Sequence, residues 1–236
     1  MNKLLMQSSL NSVWESKMRL FLYSDFCGIT NDKDVLLNQF DFDIAKARVL
    51  FVPYADKTAT TYKNRIKEKL YSLGITKGNI TEITKKTELE RFDFKLIVVS
   101  GGNSLRLIHT LKKYNQYDYV KKLINSGVLY IGDSAGSVVT GNDIKYTEGY
   151  EPFLEQLEID EKEIYDSFNL INKVVLVHTT KNRVNHQTNE VYEDNLYYDF
   201  YIKYKKPQES KPHISIGNNE YVFVDKNGEK TYSEKI

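Results

Sequence analysis

From residue 128 to 139 the chain reads Val-Leu-Tyr-Ile-Gly-Asp-Ser-Ala-Gly-Ser-Val-Val, an apolar run that turns through Gly132-Asp133-Ser134-Ala135-Gly136. A strand that passes through Gly-x-Ser-x-Gly into a helix lifts its serine hydroxyl above the sheet edge. The two glycines let strand and helix approach with no Cβ between them. The helix start that follows favours negative charge, so the chemistry open to Ser134 is nucleophilic attack. A second turn, Val98-Val99-Ser100-Gly101-Gly102-Asn103-Ser104, also stands between an apolar run and a helical pattern. The amide of Gly102, paired with that of Ala135, would make an oxyanion hole for acyl transfer. The same turn has a structural use, with Asn103 or Ser104 capping the helix, and the two uses are compatible.

A serine nucleophile needs a base, and the chain has four histidines, His109, His178, His186 and His213. His109 lies on an apolar-periodic helix and reads as a packed or surface group, and His186 lies in a polar loop. His178 directly follows the apolar run 174–177, where a side chain can reach over a sheet towards a neighbouring elbow. It is the expected base. The third member is expected to be a carboxylate that fixes the imidazole tautomer. Asp143, Glu148 and Glu151 all lie between serine and base; Glu148 is the first choice and the other two stay open. Asp133 precedes the serine and reads as a hydrogen-bonding turn residue.

The elements that must hold these groups are legible as apolar blocks at 20–23, 49–52, 96–99, 128–131 and 174–177. Each lacks the polar alternation of a half-exposed strand, so they read as strands covered on both faces, as in a parallel sheet. Between them, 62–73, 104–114 and 117–126 carry apolar residues at helical spacing, for example Leu105, Ile108 and Leu111. Alternating strands and helices predict a three-layer α/β/α sandwich with a mostly parallel sheet, whose ligands sit at the carboxyl ends of the strands. The segment 192–206, rich in Tyr and Lys and followed by Pro207 and Pro212, reads as a loop. The stretches 213–216, 221–224 and 230–232 read as short strands, with Asn227-Gly228 as a tight turn.

Thirty-three Lys and Arg against 32 Asp and Glu leave a net charge of +1. That balance argues against a nucleic-acid partner, which a basic excess on one face would serve. No apolar run approaches the roughly 18 residues of a membrane span. One cysteine, Cys27, excludes an internal disulfide framework and a multi-cysteine zinc site. The expected compartment is the cytoplasm, since the first 17 residues do not read as a signal peptide. They are taken as an extension, 1–17, ahead of one domain at 18–236. No metal and no cofactor is expected.

Val-Val-Ser-Gly-Gly-Asn-Ser, then Tyr-Ile-Gly-Asp-Ser-Ala-Gly-Ser, then a strand ending in His178, in that order, resemble the peptidase E and cyanophycinase family of serine peptidases. Those are similar in fold to class I glutamine amidotransferases. The resemblance runs from about Met18 to His186 and implies Ser134 as nucleophile, His178 as base, an acid after the elbow helix and an oxyanion hole at the Gly-Gly-Asn turn. It also implies a small peptide substrate, an aspartyl dipeptide or isopeptide, met by a basic residue; Arg183 and Lys181 are equal candidates for it, with Asn103 beside the turn. The chain departs from the family in reading Val-His-Thr-Thr around His178, and its following loop does not align with the family's specificity segment. A homodimer is compatible with this reading.

Three alternatives remain at this level. An α/β-hydrolase esterase would use the same elbow with His213 and Asp194 or Asp199. A cysteine-dependent amidotransferase would need its thiol where Ser134 stands. A non-catalytic member of the fold would bind an anion at the two glycine turns.

Overall fold

The structure, a computed structural model, describes residues 17–56, 60–150, 165–185, 190–193 and 195–234, with only the backbone described for 148–150 and 185. Among them the strands are β1 (Leu20–Tyr23), β2 (Arg48–Val52), β3 (Ile80–Glu82), β4 (Phe94–Val99), β5 (Leu129–Asp133), β6 (Val174–Val177), β7 (Asn182–Asn185), β8 (Glu190–Glu193), β9 (His213–Ile216), β10 (Glu220–Asp225) and β11 (Gly228–Ser233). Seven form one sheet in the order β11-β10-β1-β5-β4-β2-β3. From β1 to β3 every pairing is parallel, and the β10–β11 hairpin adds two antiparallel strands at the β1 edge.

Side chains alternate between two cores, as the two-residue period of a strand requires. Leu20, Leu22, Leu50, Val52, Ile97, Val99 and Tyr130 face a layer containing Leu105, Ile108, Leu111, Val120 and Ile124. Phe21, Tyr23, Val49, Phe51, Leu96, Val98, Leu129 and Ile131 face Ile66 and Leu70. Helices Ser104–Lys113 and Tyr117–Asn125 therefore cover one face and helix Thr60–Ser72 the other. The result is a three-layer α/β/α sandwich with a mostly parallel sheet, the class I glutamine amidotransferase-like architecture.

Two expectations change. The apolar block 174–177 is a buried strand, but it pairs in parallel with β9 in a separate two-stranded unit. The segment 192–206 is not a loop. After β8 it forms helix Asn195–Phe200, continues with π-helical spacing through Tyr201–Lys205 and ends in a 3-10 segment, Lys206–Ser210. Phe200, Tyr201 and Lys205 are buried. Tyr and Lys carry long apolar stems behind polar tips, so a helix that buries them does not read as an apolar stripe. Pro207 sits in the first turn of the final segment, where a missing N–H costs nothing.

Candidate active site

Register brings the carboxyl ends of three strands together: Tyr23 of β1 stands opposite Asp133 of β5, and Val99 of β4 opposite Gly132. Ser134 follows, with φ 47° and ψ −104°, a region that L residues avoid unless surrounding structure holds them there. What holds it is on both sides. The Ser134 amide donates to the Tyr23 carbonyl at 2.8 Å, and the buried Ser137 hydroxyl, accepting from the Tyr23 amide, shares its one proton between the carbonyls of Tyr23 and Gly132. A Cβ on Gly132 would lie 2.7 Å from the Gly136 backbone, and one on Gly136 would lie 2.4 Å from the Val99 carbonyl oxygen. The elbow closes only with glycine at both places.

Ser134 Oγ lies 3.0 Å from His178 Nε2. His178 stands just past β6 at φ 58°, its amide donating to Ser24 Oγ, which in turn donates to the Ile216 carbonyl. Ser24 thereby ties the end of β1 to the β6–β9 pair. The other ring nitrogen, Nδ1, is 2.8 Å from Asn218 Oδ1. Asn218 is buried, and its Nδ2 donates to the carbonyls of Thr180 (2.8 Å) and Asn182 (3.4 Å). Those two bonds fix which end of the amide faces the ring. Its oxygen can only accept, so His178 carries its proton on Nδ1 and presents Nε2 as an acceptor to the serine hydroxyl. Burial first, then the Lys205 and Arg183 cations, push the His178 pKa down to about 3 against the opposing Asn218 bond. The imidazole is neutral, with Nε2 open to the serine proton, while the same surroundings disfavour the imidazolium.

The partner of His178 is thus an amide, Asn218, and not the expected carboxylate. Asp143 is engaged by Lys211 and by the Lys145 amide. The Glu148 side chain and Glu151 lie outside the described residues. His213 opens β9, at the end of the β6–β9 pair opposite to His178, and bonds the Lys211 carbonyl; it does not meet Ser134. Asp194 and His186 lie outside the described residues. Burial and the nearby carboxylates of Asp133 and Asp25 push the Cys27 thiol up, so it is held as a thiol, and it lines a different cleft from the one that holds Ser134.

Gly102 takes φ +129°, and a Cβ there would meet the Ala55 carbonyl oxygen at 2.4 Å. Among the described residues, no oxygen accepts the Gly102 or Ala135 amide. Both residues line one cavity with Ser134 and His178, and backbone amides beside a serine are the kind of donor an oxyanion hole uses. Asn103 lines it too, while its Oδ1 accepts from the Arg106 amide at 2.7 Å as the helix cap. Tyr62 links the two turns, since its hydroxyl donates to Asp133 Oδ2 and accepts from the Gly101 amide at 3.2 Å. Asp133 also accepts from the Phe26 amide at 2.9 Å, and burial beside Asp25 raises its pKa. Tyr197 stacks on the His178 ring at 4.7 Å.

Arg183 is placed elsewhere. It approaches Asp25 at 3.4 Å and lines a separate cleft of about 590 Å³, while Lys181 is exposed. The cation beside Ser134 and His178 is the buried Lys205.

With this geometry in place, comparison with known proteins is decisive about the family. The profile of peptidase family S51 matches residues 28–230. The chain belongs to peptidase family S51. An uncharacterized peptidase of Listeria monocytogenes is 33% identical over 170 residues, 67% of this chain and 77% of that one. Peptidase E of Haemophilus influenzae is 29% identical over 142 residues, 56% of this chain and 63% of that one. In fold, the chain is similar to the crystal structure of a candidate peptidase E protein from Listeria monocytogenes EGD-e. The TM-score is 0.71 at 24% identity, over 92% of this chain and 99% of that one. This S51 chain is a peptidase of the serine hydrolase class. Among its described residues no helix is long and apolar enough to cross a membrane, and no group of three or more His, Cys, Asp or Glu could hold a metal ion.

Proposed function

We propose that this S51 peptidase hydrolyses a short peptide, an aspartyl dipeptide or isopeptide, through an acyl-enzyme on Ser134. The observation that carries the reading is the 3.0 Å bond from Ser134 Oγ, on its strained elbow, to His178 Nε2. The relatives named peptidase E support hydrolysis of a peptide bond, and the small cavity beside Ser134 suits a short substrate. In the first half, His178 Nε2 takes the Ser134 proton as Oγ bonds to the scissile carbonyl carbon, and the Gly102 and Ala135 amides hold the resulting oxyanion. The carbon–nitrogen bond breaks as His178 returns the proton to the departing amine. In the second half, water loses a proton to His178 and attacks the ester, and Ser134 leaves with that proton.

The test is a dipeptide panel, Asp-Leu, β-Asp-Arg and neutral controls, cut by wild type, Ser134→Ala and His178→Ala. Turnover is expected in wild type and a loss of about 10³-fold or more in each variant. A serine-reactive phosphonate is expected to label wild type and not Ser134→Ala. No cleavage of any dipeptide together with no label on Ser134 would overturn the reading.

A further inference from the structure

The cavity that holds Ser134, His178, Gly102 and Ala135 is small, about 70 Å³, and one of its walls is Lys205. Lys205 is 5% exposed. Its ammonium donates to the Val177 carbonyl at 3.0 Å and lies 5.3 Å from the centre of the Phe200 ring. Among the described residues it has no carboxylate partner. An ammonium has three N–H donors, and a buried cation without a counter-ion is costly unless something completes it. Here the incomplete cation stands at the reacting serine, one residue from the base along the chain at Val177.

We infer that Lys205 is the residue that reads substrate charge, receiving a carboxylate from a short acidic side chain of the bound peptide inside the Ser134 cavity. This rests on the peptidase reading above and deepens it by assigning the specificity to a residue. The small volume suits a short side chain, and the remaining walls, Val138, Val177 and Phe200, offer apolar contact to its methylene. The assignment has a second consequence for the base. The charged groups acting on His178 are two cations, Lys205 and Arg183, with Asn218 as its hydrogen-bond partner and Ser134 and Tyr197 against its ring. Both cations oppose formation of the imidazolium. A substrate carboxylate on Lys205 cancels the larger of the two influences, so an acidic substrate supplies the negative charge that an acid in the place of Asn218 would have supplied. The depressed Lys205 pKa, about 7 through burial, agrees with a cation that lacks its partner until substrate arrives.

The experiment labels the full chain with a matched pair of aminoalkyl phosphonates whose side chains end in a carboxylate or its carboxamide. A small fluorophosphonate without a side chain serves as the control. Wild type is expected to label faster with the carboxylate probe, and Lys205→Met to lower the carboxylate-to-carboxamide rate ratio by about 10- to 100-fold, the size of a lost hydrogen bond to a charged group. On wild type alone, free succinate is expected to protect Ser134 from the fluorophosphonate and succinamide not to, a readout that needs no variant. If the fluorophosphonate labels Ser134 but the ratio is the same in Lys205→Met, or succinate gives no protection, the Lys205 assignment is overturned while the peptidase reading stands. If the fluorophosphonate fails to label Ser134 in wild type, the peptidase reading itself falls.

Discussion

Asn218 is the residue on which this site differs most from what its sequence suggests. A serine hydrolase base is usually oriented by a carboxylate that also offsets the imidazolium charge. Asn218 performs the first task and not the second, because its fixed amide oxygen orders the Nδ1 proton at 2.8 Å yet brings no charge. The signal that would have found it was present but weak. Gly217-Asn218-Asn219 reads as a turn, and only the parallel pairing of β9 with β6 places that turn under His178, a pairing between strands far apart in sequence. Ser134, His178, Gly102 and Asn103 were legible because their local motifs carry the geometry. Lys205, Tyr62 and Asn218 were not, because each reaches the site through tertiary packing. The division of labour at Asn218 has a testable sign. With His178 held down to about 3, the acid limb of kcat/KM from this group lies near that value, and the base is unprotonated above it. In Asn218→Asp a carboxylate meets Nδ1–H and favours the imidazolium, so the acid limb is expected to move upward by about 1–3 pH units. Asn218→Ala, which frees the tautomer, is expected to lower kcat/KM by about 10²-fold. A pH profile for Asn218→Asp that superimposes on wild type would remove Asn218 from this role.

Elements enter the function through how closely they can approach. β5, the elbow and the short helix Ala135–Val138 form a unit whose spacing is set by Gly132 and Gly136, the feature most easily read in the sequence. The parallel order of β1, β5 and β4 then delivers Ser24, Ser134 and Gly102 to one edge. Apolar blocks revealed these strands, whereas the helix Asn195–Phe200 escaped detection because its buried face is built from tyrosine, phenylalanine and, in the following turn, Lys205. At Gly136 the obstacle to a side chain is backbone, the Val99 carbonyl oxygen at 2.4 Å, which no rotamer change can relieve. Gly136→Ala is therefore expected to destabilise the fold by about 3 kcal/mol, in the range of overpacking, and to abolish Ser134 labelling by displacing the elbow from Val99. Gly78, where an added Cβ would meet nothing within 4 Å, is the control, and Gly78→Ala is expected to stay within about 0.5 kcal/mol of wild type. Urea unfolding of the two variants measures both. Equal stabilities would mean that strand and helix are further apart than this packing requires.

Across the whole molecule positive and negative charges nearly cancel, with 33 basic and 32 acidic residues, so net charge does little for an acidic substrate and a buried charge at the site counts for more. Lys205 is the clearest case, and it links the site to the stability of the fold. Its pKa falls from 10.5 in the unfolded chain to about 7 in the folded one because burial disfavours the ammonium. Between those two values the unfolded state binds more protons than the folded state, so this group makes stability rise with pH. Above 10.5 the lysine is neutral in both states and its penalty is gone; below 7 it is charged in both and the penalty is complete. Lys205→Met keeps the apolar stem and removes the titration. Relative to wild type, Lys205→Met is expected to be more stable at pH 7, by an amount on the order of a few kcal/mol, and this advantage is expected to shrink steadily towards pH 10. Groups common to both proteins cancel in the difference. Thermal melts of the two proteins across pH 7 to 10 give that difference directly. A gap that does not change with pH would show that the ammonium already has a counter-charge in the folded protein, and a lysine so partnered would have no unmet charge to offer a substrate.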